Sequence, residues 1–227
     1  MLWSPLGLYK TNADLRNFRQ RKGTSLAELR KAIPIAVIDD EPFAAEINLR
    51  NHGYVITQIG DVKRIDEVEK YRIVLCDLMG VGRHFDKNKQ GASLIQEIRL
   101  AYPATIVVAY SGSSFNSPQA RSAKENADLT IKKDEDISEW RRVLDDLLQK
   151  AADPYFLWQR TRLQLTNMEI DTRTILLLED AYVRAVLDGD SEGKTFGAGI
   201  QKVKLSSDAR AVVQGLVASA IFKIFVG

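Results

Sequence analysis

Ile35-Ala36-Val37-Ile38-Asp39-Asp40-Glu41-Pro42 decides how this chain reads. Four apolar residues in a row, three of them β-branched, suit a strand buried on both faces, and two adjacent carboxylates followed by a proline end it. The same form returns at Ile73-Val74-Leu75-Cys76-Asp77, at Ile106–Tyr110 followed by Ser111, and at Leu129–Ile131 followed by Lys132-Lys133, with Tyr54–Ile59 as a fifth apolar run. Helical spacing fills the gaps at Pro42–Asn51, Ile65–Tyr71, Ala92–Ala101 and Pro118–Asn126. Ile137, Trp140, Val143, Leu144, Leu147 and Leu148 then form one apolar stripe on a last helix. Regular alternation of strand and helix predicts an α/β fold, a doubly wound five-stranded parallel sheet covered on both faces. In such sheets functional groups collect beyond the carboxyl ends of the strands.

Three segments are expected: a basic extension over residues 1–33, the α/β domain over 34–150, and a helical region over 151–227. The extension holds Lys10, Arg16, Arg19, Arg21, Lys22, Arg30 and Lys31 against only Asp14 and Glu28. It reads either as a solvated helix face or as a contact for a partner or nucleic acid; no aromatic-interleaved basic stripe or zinc-finger spacing supports the second. Ser25-Leu26-Ala27-Glu28 is a capping box for a short helix through Lys31, ended by Pro34. After Asp153-Pro154 come helices over Tyr155–Leu165 and Asp171–Leu187, the second capped by Asp171 and stopped at Gly189. A loop over 190–205 is expected next, then a helix from Asp208 to Val226 capped by Ser207. Ala211, Gly215 and Ser219 at spacing four mark that helix for packing or homodimerisation. Asp188-Gly189-Asp190 begins like a calcium loop, but Gly199 stands where its last carboxylate belongs. Gly189–Thr195 is one residue short of a phosphate-binding loop and follows a helix rather than a strand.

A formal net charge of +2 makes no general case for nucleic-acid binding. The single cysteine, Cys76, excludes a disulfide framework and the two-cysteine redox and zinc motifs. No secretory leader or membrane-length apolar stretch is present, so a cytoplasmic protein with no membrane partner is expected.

Asp39, Asp40 and Asp77 would converge at one sheet edge, where carboxylates repel unless a cation sits among them. A hard divalent ion such as magnesium, with oxygen ligands and retained waters, relieves that repulsion. Ile38-Asp39-Asp40-Glu41-Pro42, Val74-Leu75-Cys76-Asp77-Leu78-Met79, Val108-Ala109-Tyr110-Ser111-Gly112 and Ala127-Asp128-Leu129-Thr130-Ile131-Lys132-Lys133 occur in that order. In these fragments the chain resembles the receiver domain of two-component response regulators over about residues 34–150. The resemblance implies a flavodoxin-like sheet of order 2-1-3-4-5. It makes Asp77 the phosphoacceptor, with Asp40, Asp77 and the Met79 backbone carbonyl on Mg2+ and Asp39 acting through water. Ser111 would donate a hydrogen bond to the new phosphoryl group, and Lys133, or alternatively Lys132, would supply fixed positive charge. The donor would be a histidine kinase or phosphotransfer protein, the output a contact with a downstream protein target, and the chain itself a signalling switch rather than an enzyme. Two other readings stand beside this one: a phosphorylation-independent adaptor or scaffold, and nucleic-acid binding through the basic extension.

Departures from the family concern transmission. Val81 and Asp134 stand where prolines are usual, and Thr130 where an aromatic switch is usual. Tyr110 could substitute for that switch or be a core tyrosine. The loop Gly80–Gln90 is longer than usual and is expected to overhang Asp77, as a gate or as a tolerated insertion.

Overall fold

The computed structural model describes residues 9–16, 18, 23–112 and 118–218. Arg19, Arg21, Lys22 and the final helix beyond Ala218, including Ser219, lie outside the described residues. Two compact units are present, one of Ser25–Ala151 and one joining the residues before Ser25 to those from Ala152 onward.

In the first unit, α1 (Leu26–Ala32) opens on the Ser25/Glu28 capping box, with Ser25 Oγ accepting from the Glu28 N–H and Glu28 Oε2 accepting from the Ser25 N–H. The sequence division at residue 33 is moved by this helix, because Leu29 and Ile33 are fully buried and Arg30 makes a bidentate pair with Asp145 at 2.8 and 2.6 Å. Tyr54 donates to the same carboxylate at 2.6 Å. The unit continues through β1 (Ile35–Ile38), α2 (Glu46–Asn51), β2 (Ile56–Gln58), a 3-10 turn at Ile65–Val68, β3 (Ile73–Asp77) and α3 (Gly91–Ala101). β4 (Ile106–Ser111), α4 (Pro118–Asn126), β5 (Leu129–Lys132) and α5 (Ile137–Ala151) complete it. All strands are parallel, in the order β2-β1-β3-β4-β5, which is the flavodoxin-like order. Central strands β1, β3 and β4 are buried at every residue, as their unbroken apolar runs require.

One sheet face, with Ala36, Ile38, Val74, Cys76, Val107 and Ala109, packs against Leu94, Ile95 and Ile98 of α3 and Ala120 and Ala123 of α4. On the other face Tyr110 meets Phe43 and Trp140 edge-on, with centroids 5.7 and 6.1 Å away.

Two helices are shorter than the spacing predicts. The Gln58 side chain accepts from the Phe43 N–H at 3.1 Å and donates to the Glu41 carbonyl at 2.6 Å. It thereby takes over backbone groups that a first helical turn at Pro42 would use, and α2 starts only at Glu46. The helix expected over Ile65–Tyr71 is a four-residue 3-10 turn, after which the chain drops so that Tyr71 enters the core and its carbonyl accepts from Thr105 Oγ1.

In the second unit, α6 (Pro154–Asn167), α7 (Thr172–Leu187), α8 (Lys194–Gln201) and α9 (Ser207–Ala218) follow one another. Asp171 caps α7 as the sequence predicts, accepting from the Thr174 N–H at 3.0 Å. The final helix is instead capped from Ser206, whose Oγ accepts from the Ala209 N–H. The segment read as a loop over 190–205 contains α8. Its glycines disguised it, yet Gly199 is where α8 crosses α7 so closely that a Cβ would overlap Ala181, while Phe196 and Ile200 are buried. Trp158 stacks on Tyr182, and Glu179, only 3% exposed, accepts from Trp158 Nε1 and from the Asn12 N–H, both at 2.7 Å. That carboxylate ties the N-terminal segment to the C-terminal helices. No described helix is long and apolar enough to cross a membrane.

Candidate functional site at the carboxyl edge of the sheet

Parallel register puts the ends of β1, β3, β4 and β5 side by side, and four of the expected groups meet there. Asp39 and Asp77 are 2% and 3% exposed, and Lys133 Nζ bridges them, at 2.6 Å from Asp77 Oδ2 and 3.0 Å from Asp39 Oδ2. Asp40 is exposed beside them, and Asp39, Asp40 and Asp77 each offer an oxygen within 4.8 Å of the others. Lys133 rather than Lys132 reaches the carboxylates. The ladder continues one residue past β5, the Lys133 N–H donating to the Ser111 carbonyl at 3.0 Å, so Lys133 falls on the same side as Leu129 and Ile131. Lys132 is exposed. Ser111 is buried at the end of β4, paired in register with Lys132.

Local backbone holds the acceptor candidate in place. The Leu78 and Met79 N–H groups donate to Asp77 Oδ1 at 2.7 and 3.3 Å, leaving Oδ2 to Lys133. Burial pushes the Asp77 carboxyl above its ordinary value, and the hydrogen bond and charge of Lys133 oppose that rise. For Lys133 burial works against the charge, but hydrogen bonds to Asp77 and Asp39 outweigh it and the ammonium is held above its usual range. Burial raises the neighbouring Cys76 thiol well above its ordinary value, which makes it unreactive.

Tyr110 carries a contact that sequence reasoning did not supply. Its hydroxyl donates to Asp39 Oδ2 at 2.6 Å, and its ring is fully buried against Phe43 and Trp140. Burial and then the adjoining Asp39 carboxylate push the phenol far above its usual range, so it remains a donor. Asp39 also accepts from the Glu41 N–H at 3.0 Å. Deleting the hydroxyl in Tyr110→Phe should destabilise the sheet unit by about 1.5–3 kcal/mol, the usual range for a hydrogen bond to a charged group, read as a lower denaturant midpoint with unchanged slope.

The loop after β3 is anchored rather than open. Val81 is fully buried in the core, Phe85 packs against the same cluster, and Asp61 accepts from the Gly82 N–H at 2.6 Å. Gln90 Oε1 accepts from the Gly80 N–H at 2.9 Å. Met79 itself is 52% exposed.

The donor set fits magnesium. It consists of hard carboxylate oxygens, and the Gly80 backbone lies directly against the Asp40 carboxylate, which occupies the space where a Cβ would stand. Ligands across an octahedral magnesium stand about 4.2 Å apart. Oxygens within 4.8 Å of one another are close enough for one ion to serve them, directly or through water.

No protein-family model matches the chain, and no curated protein matches it in sequence. Solved structures do. The receiver domain of NtrX from Brucella abortus is 25% identical, with a TM-score of 0.40 over 51% of this chain and 98% of that one. Chemotaxis protein CheY4 of Vibrio cholerae is 14% identical, with a TM-score of 0.42 over 51% of this chain and 98% of that one. The receiver domain of a sensor histidine kinase from Pseudomonas aeruginosa PAO1, with a magnesium ion coordinated in its active site cleft, is 18% identical, with a TM-score of 0.42 over 52% of this chain and 98% of that one. The likeness is thus to response-regulator receiver domains, and it extends over about half of this chain.

Proposed function

We propose that the Ser25–Ala151 unit is a phosphoacceptor receiver that takes a phosphoryl group on Asp77 from a histidine kinase or phosphotransfer protein. The observation that carries this is Lys133 Nζ lying between the Asp77 and Asp39 carboxylates, with Asp40 beside them. A structural ion pair needs one carboxylate. Here a lysine is shared by two buried ones and a third stands within reach, an arrangement suited to a further cation and a dianionic phosphoryl group.

In this reading Asp40, Asp77 and the Met79 carbonyl would hold Mg2+, with Asp39 through water, and the ion would supply positive charge against the phosphoryl oxygens. Asp77 attacks phosphorus through a carboxylate oxygen. The bond from phosphorus to the donor breaks, its electron pair leaves with the donor, and an acyl phosphate remains on Asp77. Lys133 swings its charge from the free carboxylate to the phosphoryl oxygens, and the Ser111 hydroxyl donates to another of them. The signal then passes by protein contact to a downstream target in the cytoplasm, with the C-terminal helices as output or homodimer element and no catalytic output of its own.

The test is to incubate the protein with Mg2+ and acetyl phosphate and weigh it intact. One phosphoryl adduct is expected on the natural sequence and none on Asp77→Asn; absence of an adduct, or one that survives the substitution, sinks the reading. A second reading is favoured by Tyr110, whose burial and bond to Asp39 tie down the residue best placed to act as an aromatic switch. On that reading the unit is a constitutive adaptor, and oligomeric state and partner capture stay the same in Asp77→Ala with or without Mg2+.

A further inference from the structure

Gln90 sits where a glutamine does not belong for backbone reasons. Its φ of 51° and ψ of −126° lie in a region that glycine enters freely and L-residues rarely adopt. The surroundings enforce it. The Gln90 N–H donates to the Asp86 carbonyl at 2.8 Å, and the Gln90 carbonyl lies against Gly82, where a Cβ would come within 2.6 Å of it. Strained non-glycine backbone persists only when its environment over-determines it, and it gathers at functional positions. What a glutamine adds here over a glycine is its carboxamide, and that group has a definite partner: Oε1 accepts from the Gly80 N–H at 2.9 Å.

That N–H belongs to the peptide group whose carbonyl is Met79 C=O. A peptide unit is planar and trans, so its N–H and C=O point in opposite directions and fixing one aims the other. This peptide needs fixing. Gly80 has φ of +81°, a conformation L side chains rarely adopt, and so has no side chain to restrict it. Accepting from the N–H also draws electron density toward the carbonyl oxygen and makes it a better ligand, as partners behind metal ligands commonly do.

We propose that Gln90 is a positioning residue for the metal site: from the end of the 80–90 loop it holds the Met79–Gly80 peptide so that the Met79 carbonyl faces the Mg2+ bound by Asp40 and Asp77. This rests on the magnesium reading above. The extended loop thereby becomes part of the site through one side chain, and the strain at residue 90 is the trade made for it.

Calorimetric titration with Mg2+ and thermal melting without it, on the full chain and on Gln90→Gly and Gln90→Glu, test this. Gln90→Gly relieves the backbone strain and removes the acceptor, so it should melt at or above the natural protein yet bind Mg2+ about tenfold more weakly, the low end for losing a partner behind a ligand. Gln90→Glu keeps an acceptor of the same reach and should bind at least as tightly as the natural protein. Equal affinity in Gln90→Gly overturns the proposal, as does weak binding by Gln90→Glu, or a fall in melting temperature in Gln90→Gly that accompanies its loss of affinity. If the natural protein takes up no Mg2+, the reading of the site fails and this proposal with it; the other outcomes overturn the role of Gln90 alone.

Discussion

Lys133→Ala is expected to slow phosphoryl uptake from acetyl phosphate by about 10²–10³-fold, the range for removing one preorganised donor aimed at charge developing in a transition state. Lys132→Ala should change it by no more than about twofold, as befits a solvent-screened surface charge. The contrast follows from position: Lys133 Nζ is 2.6 Å from Asp77 and 3.0 Å from Asp39, whereas Lys132 points outward from the edge strand. The substitution has a second consequence. Burial and the Asp39 charge already raise the Asp77 carboxyl, and Lys133 is the main influence lowering it. Without the lysine the rise grows. A carboxyl whose folded value lies above its unfolded one stabilises the fold while protonated and loses that contribution as pH rises through the folded value. The stability deficit of Lys133→Ala should therefore be small in mild acid and open as pH rises through that value. Mg2+ should narrow it at neutral pH, raising the melting temperature of the variant more than that of the natural protein, because the ion then relieves the Asp39–Asp77 repulsion. Equal rates for the two lysine variants would remove Lys133 from the mechanism.

How much of this was legible in the sequence differs between strands, helices and site. β1, β3 and β4 read correctly because each is an unbroken apolar run, and a strand buried on both faces has no other way to be written. Helix ends were less legible because side chains from elsewhere decide them. Nothing within Pro42–Asn51 announces that Gln58, on another strand, will claim the backbone of residues 41–43. Likewise the glycines of α8 read as loop, although Gly199 is a close-packing residue against Ala181.

In the site, Asp39, Asp40 and Asp77 could be found because adjacent carboxylates ending apolar runs are conspicuous. The choice between Lys132 and Lys133 turned on how far β5 extends, which only the Lys133 N–H to Ser111 bond resolves. Tyr110 and Asp39 could not be joined from the sequence at all. Their strands are separated in the sheet by β3, about 10 Å across two strand spacings, and only a side chain as long as tyrosine spans that interval at 2.6 Å from hydroxyl to carboxylate. Gln90 gave a weaker sign, a polar residue just before Gly91 at the end of a long loop, and its meaning depends on a backbone angle the sequence does not display.

Gly91→Ala should have the largest effect on stability of any single methyl added near the site. A Cβ at residue 91 would overlap the Asp77 backbone oxygen and crowd the Leu78 Cα. Both obstacles are main chain, and they belong to the segment whose N–H groups hold Asp77 Oδ1. A flexible side-chain tip could swing aside; the end of a central strand cannot, since Asp77 is paired in register with Tyr110 and the Leu78 N–H donates to the Tyr110 carbonyl. The methyl must then push α3 outward, parting Ala92, Leu94, Ile95 and Ile98 from the core they share with Val74 and Cys76. Overpacking costs typically 1–3 kcal/mol, and with backbone on the receiving side we expect about 3 kcal/mol, a fall in melting temperature of roughly 10 °C for a unit of this size. Because α3 begins directly after Gln90, whose carboxamide accepts from the Gly80 N–H, pushing it outward should lower Mg2+ affinity as well, together with stability, unlike in Gln90→Gly, where affinity falls while stability holds. The pair of variants thus separates two ways of weakening the site: moving its scaffold and releasing one peptide within it. A Gly91→Ala protein that melts within about 2 °C of the natural one would mean that α3 yields more easily than its packing implies, and the close approach of Gly91 to Asp77 would no longer account for glycine at that position.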